Sequence, residues 1–323
     1  MTQKSGRSDF CVICVNFGLS TEERGPKRTI VLPVSSEASR PSVRPSKRPR
    51  RTRAIVGTVA ALTATTGLYA FAVEPRWVEV TRPNLPPVGR AGARNDVAHV
   101  EPSALRVLHL SDLHGSTPGS REAAVLATIA REKPDLVVLT GDTCDTGHFA
   151  PYASFLSALH APLGVFAVEG NWEHWRPSDD EAATLRSAGI TLLVNESRRL
   201  RDDLWIVGFD DETGGSPDAE KALRGVPAGV TTLALMHSPA FFDSVAGRVT
   251  FALAGHTHGG QVRVPGLGPL WLPPGSGRYV AGTYEDRGSS LYVSRGLGTS
   301  ILPVRFFARP ELALVTLSMP AAR

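Results

Sequence analysis

The sequence predicts an α/β layered fold, on two observations. Apolar runs of strand length alternate with helical stretches from Leu105 to Leu317, the pattern of sheets covered by helices. The chain has 323 residues, 42% of them hydrophobic, enough for one sizeable core. Leu105–Leu110 reads as a strand, Glu122–Arg131 as a helix, and Leu136–Thr140, an unbroken apolar run, as a buried strand. Tyr152–Leu159 reads as a helix, Gly164–Val168 as a strand and Asp180–Ser187 as a helix. Leu204–Phe209, Thr232–Met236, Thr250–Ala254, Leu291–Val293 and Leu312–Leu317 complete a strand-rich set. No internal repeat is visible.

The flanking segments divide cleanly. The net charge of +4 is uneven: residues 1–53 hold 12 basic and 4 acidic side chains, whereas residues 54–323 hold 23 and 27. A nucleic-acid-binding domain carries its Lys and Arg on the folded body, so that class is disfavoured. Residues 1–53 read as a disordered basic tail, either cytoplasmic or encoded upstream of the true start. Ala54–Val73 has no charged residue and follows Arg50, Arg51 and Arg53. Twenty residues in a helix span about 30 Å, and the basic flank marks the cytoplasmic side. Ala70-Phe71-Ala72 also resembles a signal cleavage site. The expectation is a transmembrane anchor or a signal peptide, with the folded domain outside the cytoplasm, membrane-bound or secreted. Residues 74–102, with Pro75, Pro83, Pro86 and Pro87, read as a linker, and 103–319 as the folded domain. Cys11, Cys14 and Cys144 are too few for a disulfide scaffold. The oligomeric state is left open.

Five of the strands end in a loop bearing Asp, Asn or His. They are followed by Ser111-Asp112-Leu113-His114, by Gly141-Asp142-Thr143-Cys144-Asp145, by Gly170-Asn171-Trp172-Glu173-His174, by His237, and by Gly255-His256-Thr257-His258-Gly259-Gly260-Gln261. Loops at the carboxyl ends of strands converge in α/β folds. Oxygen and imidazole donors suit Mn, Fe, Zn or similar ions. Seven donors exceed the needs of one ion, and two ions sharing one carboxylate is the economical reading. Such a pair, about 3.5–4 Å apart, activates a hydroxide and clamps a phosphoryl group.

DLH, GDxxD, GN, a lone His and GHTH, in this order, resemble the calcineurin-like metallophosphoesterase superfamily. GHTHGGQ at 255–261 and SRGLGTSILPVRFFARPE at 294–311 resemble its YaeI/YkuE-type bacterial phosphodiesterase branch more narrowly, as do Val73-Glu74-Pro75 and Trp77 after an apolar helix. The resemblance covers residues 70–318. It implies a four-layer α-β-β-α sandwich and a dinuclear metal centre with a metal-bridging hydroxide. It implies that Asp112, His114 and His258 hold one metal, that Asn171, His237 and His256 hold the other, and that Asp142 bridges them. Asp145 is implied to support the loop, and Gly255, Gly259 and Gly260 to allow close backbone approach.

One position departs from that pattern. Most of the family has His directly after the Asn of GN, as proton donor or transition-state stabiliser, and this chain has Trp172. His174 and His148 are the remaining candidates for that catalytic role. His109, inside the first strand, reads as a hydrogen-bonded core residue, and Cys144 as a packed small one. Asp210 and Asp211 read as a loop feature open to substrate contact. Trp271, Tyr279 and Tyr284 either shape a substrate rim or pack. The expected function is a metal-dependent phosphoester hydrolase, specifically a phosphodiesterase, acting on an envelope or lipid- or nucleotide-linked phosphoester. The other reading, motivated by Trp172, is a metal-bound envelope-binding protein with weak or no turnover.

Overall fold

The computed structural model describes residues 50–86 and 104–319. The basic tail, Cys11, Cys14 and His99 lie outside the described residues. The first helix, α1 (Arg50–Leu68), continues through a π turn at Tyr69–Val73 and a 3-10 turn at Glu74–Arg76. From Thr52 to Arg76 it is long and apolar enough to cross a membrane.

Part of the segment expected as a linker belongs to the sheet. β1 (Glu79–Thr81) and β2 (Asn84–Leu85) both pair in parallel with the last strand of the chain. Their brevity and flanking prolines hide them from a pattern reading, because short strands carry little alternation. Residues 87–103 lie outside the described residues.

The predicted alternation then follows. β3 (Ala104–Leu110), α2 (Ser120–Glu132), β4 (Leu136–Thr140), α3 (Ala153–Ala158), β5 (Val165–Val168), α4 (Asn171–Trp175), α5 (Glu181–Ser187) and β6 (Ile190–Leu192) form the first half. β7 (Glu196–Arg201), β8 (Leu204–Gly208), α6 (Ala219–Ala222), β9 (Thr231–Leu235), α7 (Phe242–Val245) and β10 (Phe251–Ala254) form the second. β11 (Arg263–Val264) and β12 (Gly268–Pro269) make a small hairpin. β13 (Gly282–Asp286), β14 (Ser289–Val293) and β15 (Glu311–Ser318) close the domain.

The strands form two sheets. One runs β1-β15-β3-β4-β5-β6, with β2 also on β15, and the other runs β13-β14-β10-β9-β8-β7. Pairing is parallel except where β15 meets β3, β13 meets β14 and β7 meets β8. The side-chain period of two builds the layers. Leu105, Val107, Leu136, Val138 and Phe166 pack against Leu204, Ile206, Leu233, Leu235, Phe251 and Leu253, between the sheets. The alternate residues Leu108, Leu110, Val137 and Leu139 pack on Val125, Ile129, Phe155 and Leu185 of the helices. On the other side Val207, Ala234, Met236 and Ala252 pack on Phe242 and Val245. The result is the expected four-layer α-β-β-α sandwich. β7 and β13 escaped the sequence reading because each is an edge strand with half its residues in water.

His109 points between the sheets, fully buried, with Nε2 2.7 Å from Thr140 Oγ1. Burial lowers its pKa to about 4, so it is a neutral core residue. Cys144 is buried as expected, and burial pushes its thiol pKa up.

Candidate metal centre and its apolar cavity

All seven candidate ligands are buried, each 6% exposed or less. They lie at the carboxyl ends of β3, β4, β5, β9 and β10, strands drawn from both sheets. The loops are bound to one another through the backbone: Asp112 N–H donates to Gly141 O, His114 N–H to Asp142 O and Gly255 N–H to His237 O. Asp112, His114, Asp142, His256 and His258 all have positive φ, between 45° and 71°. Left-handed backbone costs a non-glycine residue about 1–2 kcal/mol, and such strain collects at functional sites. A Cβ on Gly255 would collide with Ser111 Oγ and Asp112 Oδ2, so glycine is required where this loop passes the first.

Three of the four imidazoles have a ring hydrogen committed outside the site. His114 Nδ1 lies 2.6 Å from Asp145 Oδ1, His237 Nδ1 2.7 Å from Thr140 O, and His256 Nε2 2.5 Å from Pro274 O. Each acceptor fixes the N–H on that nitrogen and turns the other lone pair inward, as around metal-ligating histidines. The Asp145 carboxylate, expected to support its loop, orients the His114 ring. The inward nitrogens crowd: His114 Nε2 is 3.1 Å from His258 Nε2, and His256 Nδ1 is 3.1 Å from His237 Nε2. In the His237–His256 pair both outer nitrogens face carbonyl oxygens, so the two inward lone pairs require a proton or a cation between them. His237 Nε2 also lies 3.1 Å from Asn171 Oδ1 and 3.3 Å from Asp142 Oδ2, and His258 Nε2 lies 3.3 Å from Asp112 Oδ1. Asp112, His114 and His258 form one group able to hold a cation, and Asp112, Asp142 and His237 another. The donor set fits divalent cations.

Electrostatics point the same way. Burial opposes a charged His237, but Asp142, Asp112 and Asp211 outweigh it, so its pKa lies well above the usual imidazole range. His114 is likewise raised by Asp145 and Asp142 against its burial. Burial, with His114 and Arg305 nearby, holds His258 well below that range. The buried carboxylates thus favour positive charge on His237 and His114.

Neither candidate proton donor lines the site. His148 is exposed. His174 Nε2 faces away, 2.7 Å from Asp210 Oδ1 and 3.6 Å from Glu169 Oε2. Trp172 takes the wall, its ring edge-on to His114 at 5.3 Å and covered by Arg176 at 4.8 Å. Asp210 also accepts from Ser216 N, and Asp211 from Thr213, Gly214 and Ser238. They brace loops and do not contribute to the cavity wall. Tyr279 is buried against Phe242 and Tyr284, whereas Trp271 stands exposed at the rim.

Sequence reading missed Glu173. This buried carboxylate accepts the N–H of Asp142 at 2.9 Å, of Thr143 at 2.7 Å and of Gly170 at 2.8 Å, fixing two candidate-ligand loops together. Its signal was half a capping box, Gly170 as N-cap and Glu173 at N3. Beside the polar cluster opens a cavity of about 530 Å³ lined by Asp142, Asn171, His256 and His258 on one side and by tryptophan, leucine, isoleucine and proline elsewhere.

A model of the calcineurin-like phosphoesterase family matches residues 105–260. An uncharacterized metallophosphoesterase of Bacillus subtilis, YkuE, is 33% identical over 274 residues, 80% of this chain and 92% of that protein. The Escherichia coli phosphodiesterase YaeI is 32% identical over 282 residues, 83% of this chain and 98% of its own. LpxG of Chlamydia trachomatis, a UDP-2,3-diacylglucosamine pyrophosphatase, is 28% identical over 80% of this chain and 94% of its own.

Proposed function

The chain belongs to the calcineurin-like phosphoesterase family and is a phosphoester hydrolase; from that premise we propose that it cleaves phosphodiesters of the cell envelope at a centre of two divalent cations. Asp112, His114 and His258 would hold one cation, Asn171, His237 and His256 the other, with Asp142 between them. The observation that carries this reading is the 3.1 Å approach of His256 Nδ1 to His237 Nε2, two imidazoles whose outer nitrogens both face carbonyl oxygens, beside the matching 3.1 Å approach of His114 to His258. Bound there, Mn, Fe, Zn or similar ions supply Lewis acidity that neutralises phosphoryl oxygens and acidifies water. The chain's own residues do the rest. Asp145, Thr140 and Pro274 fix three imidazoles, and Trp172 with Arg176 over it shields one wall from solvent. The phosphodiesterase and pyrophosphatase relatives named above support the substrate class. The apolar helix supports a membrane-anchored enzyme whose domain lies outside the cytoplasm.

Hydrolysis of bis(p-nitrophenyl) phosphate by the purified full chain should require Mn²⁺ or a similar ion. EDTA should abolish it and re-addition restore it. Metal-free protein retaining full activity would overturn the reading, and stoichiometric metal with no turnover of any phosphoester would favour the envelope-binding alternative. Metal affinity should also rise with pH. Nearby carboxylates raise the pKa of His237 and of His114, so in the metal-free site both imidazoles hold their protons to higher pH than a free imidazole. Binding must displace those protons, so Kd should fall about tenfold per pH unit for each proton released, measured by calorimetry from pH 6 to 8.

His174→Asn tests the missing proton donor. Removing a general acid costs about 10²–10⁴-fold. With its Nε2 turned to Asp210, the expected loss in kcat is under about tenfold; a larger loss with unchanged metal content would restore it as the acid.

A further inference from the structure

The cavity beside the polar cluster carries more apolar surface than phosphoester chemistry needs. Trp175, Leu270, Trp271, Ile301 and Leu302 line it and are each 57–81% exposed. Ile301 also has φ +64°, a backbone conformation that β-branched residues rarely adopt. Strained backbone that presents an isoleucine to water gains nothing in a soluble domain, and such outliers mark functional positions. A contiguous apolar patch of this kind marks a ligand or membrane site.

This rim is joined to the apolar helix. Arg305 N–H donates to Ala70 O at 3.0 Å, and the Tyr69 and Phe306 rings meet edge-on at 6.2 Å. Glu74, fully buried, accepts the N–H of Phe307 and Ala308. The neighbouring loop follows: Arg263 N–H donates to Phe306 O and Leu270 N–H to Val262 O. The helix itself is almost wholly exposed, so a bilayer is what its surface fits. Its end therefore brings the apolar rim to the membrane surface. Further along the same segment, the buried Arg305 side chain donates to Gly298 and Arg295 carbonyls and comes within 3.5 Å of His258 Nδ1. Rim, helix end and candidate ligand are one connected piece.

We propose that the cavity takes the hydrocarbon tail of an amphipathic phosphoester drawn from the bilayer, with its phosphate at the seven polar residues. The proposal rests on the hydrolase reading above and deepens it. Trp172, Trp175, Leu270, Trp271, Ile301 and Leu302 form the tail's wall, and the last four dip into the lipid interface.

The test compares p-nitrophenyl ethyl phosphate with p-nitrophenyl decyl phosphate. In both, water adds OH to phosphorus, the aryl P–O bond breaks, and p-nitrophenol leaves with the remaining proton. Only the tail differs. With the full chain in nanodiscs of phosphatidylethanolamine and phosphatidylglycerol plus Mn²⁺, kcat/KM should rise about 100-fold from ethyl to decyl, the worth of a few buried methylenes. Ile301→Ser with Leu302→Ser should cut that ratio about tenfold, at wild-type metal content. A ratio near one, with the ethyl ester turned over, overturns the tail site and leaves the hydrolase standing. A gain that the double variant keeps in full is partitioning into the bilayer and also overturns it. If neither ester nor bis(p-nitrophenyl) phosphate is hydrolysed, the hydrolase reading falls and takes this inference with it.

Discussion

Asp142→Ala should reduce phosphodiester hydrolysis by about 10³-fold or more, equivalent to roughly 4 kcal/mol of transition-state stabilisation. One carboxylate serves several partners. Asp142 Oδ1 accepts the Trp172 N–H at 2.9 Å, while Oδ2 lies 3.3 Å from His237 Nε2 and 3.6 Å from His114 Nε2. Its pKa is held low against burial by His237 and His114, so it is an anion in place to neutralise cations. Alanine removes the charge between the two groups of imidazoles and frees the Trp172 wall. Steady-state kinetics with bis(p-nitrophenyl) phosphate, paired with metal analysis, reads both effects. Activity above a tenth of wild type would remove Asp142 from the centre. Asp142→Asn separates the two contributions, because it keeps the backbone acceptor and loses the charge.

The second large effect is expected away from the candidate ligands. Glu173→Ala leaves the N–H groups of Asp142, Thr143 and Gly170 without their acceptor. Each orphaned buried donor costs about 1–3 kcal/mol, so the domain should lose roughly 3 kcal/mol or more. For a domain of this size, that lowers Tm by about 6–12 °C, readable by calorimetry of the full chain. Metal content should fall as well, because the Asp142 and Asn171 loops are no longer tied together. Burial and the Asp142 charge push the Glu173 pKa up, and the backbone donors pull it back. Glu173→Gln should therefore fall between wild type and alanine, since its amide offers one acceptor and adds donors that face other donors. Unchanged Tm in the alanine variant would show that the loops are held by other means.

The candidate-ligand loops were legible because each is short, polar and directly follows an apolar run. Local periodicity marks a strand end without knowledge of its neighbours. Glu173 was hidden because an isolated glutamate in a loop reads as solvated, and its backbone partners at Asp142 and Thr143 are about 30 residues away in sequence. β7, with the sequence ESRRLR, reads as solvent-facing loop for a similar reason. At a sheet edge only one face needs apolar residues, so hydropathy gives half a signal.

By itself the sequence determined the α/β alternation, the apolar helix and the donor types at five strand ends. These are set by residues adjacent in the chain, where period, charge and loop length act locally. The tertiary structure decided which ring nitrogen faces inward, because that choice belongs to acceptors on other segments: Asp145, the Thr140 carbonyl and the Pro274 carbonyl. It also decided that His174 turns to Asp210, and that Ile301 and Leu302 stand beside residues from the loops after β4, β5 and β10. Those are contacts between distant parts of the chain, and only packing two sheets face to face fixes them.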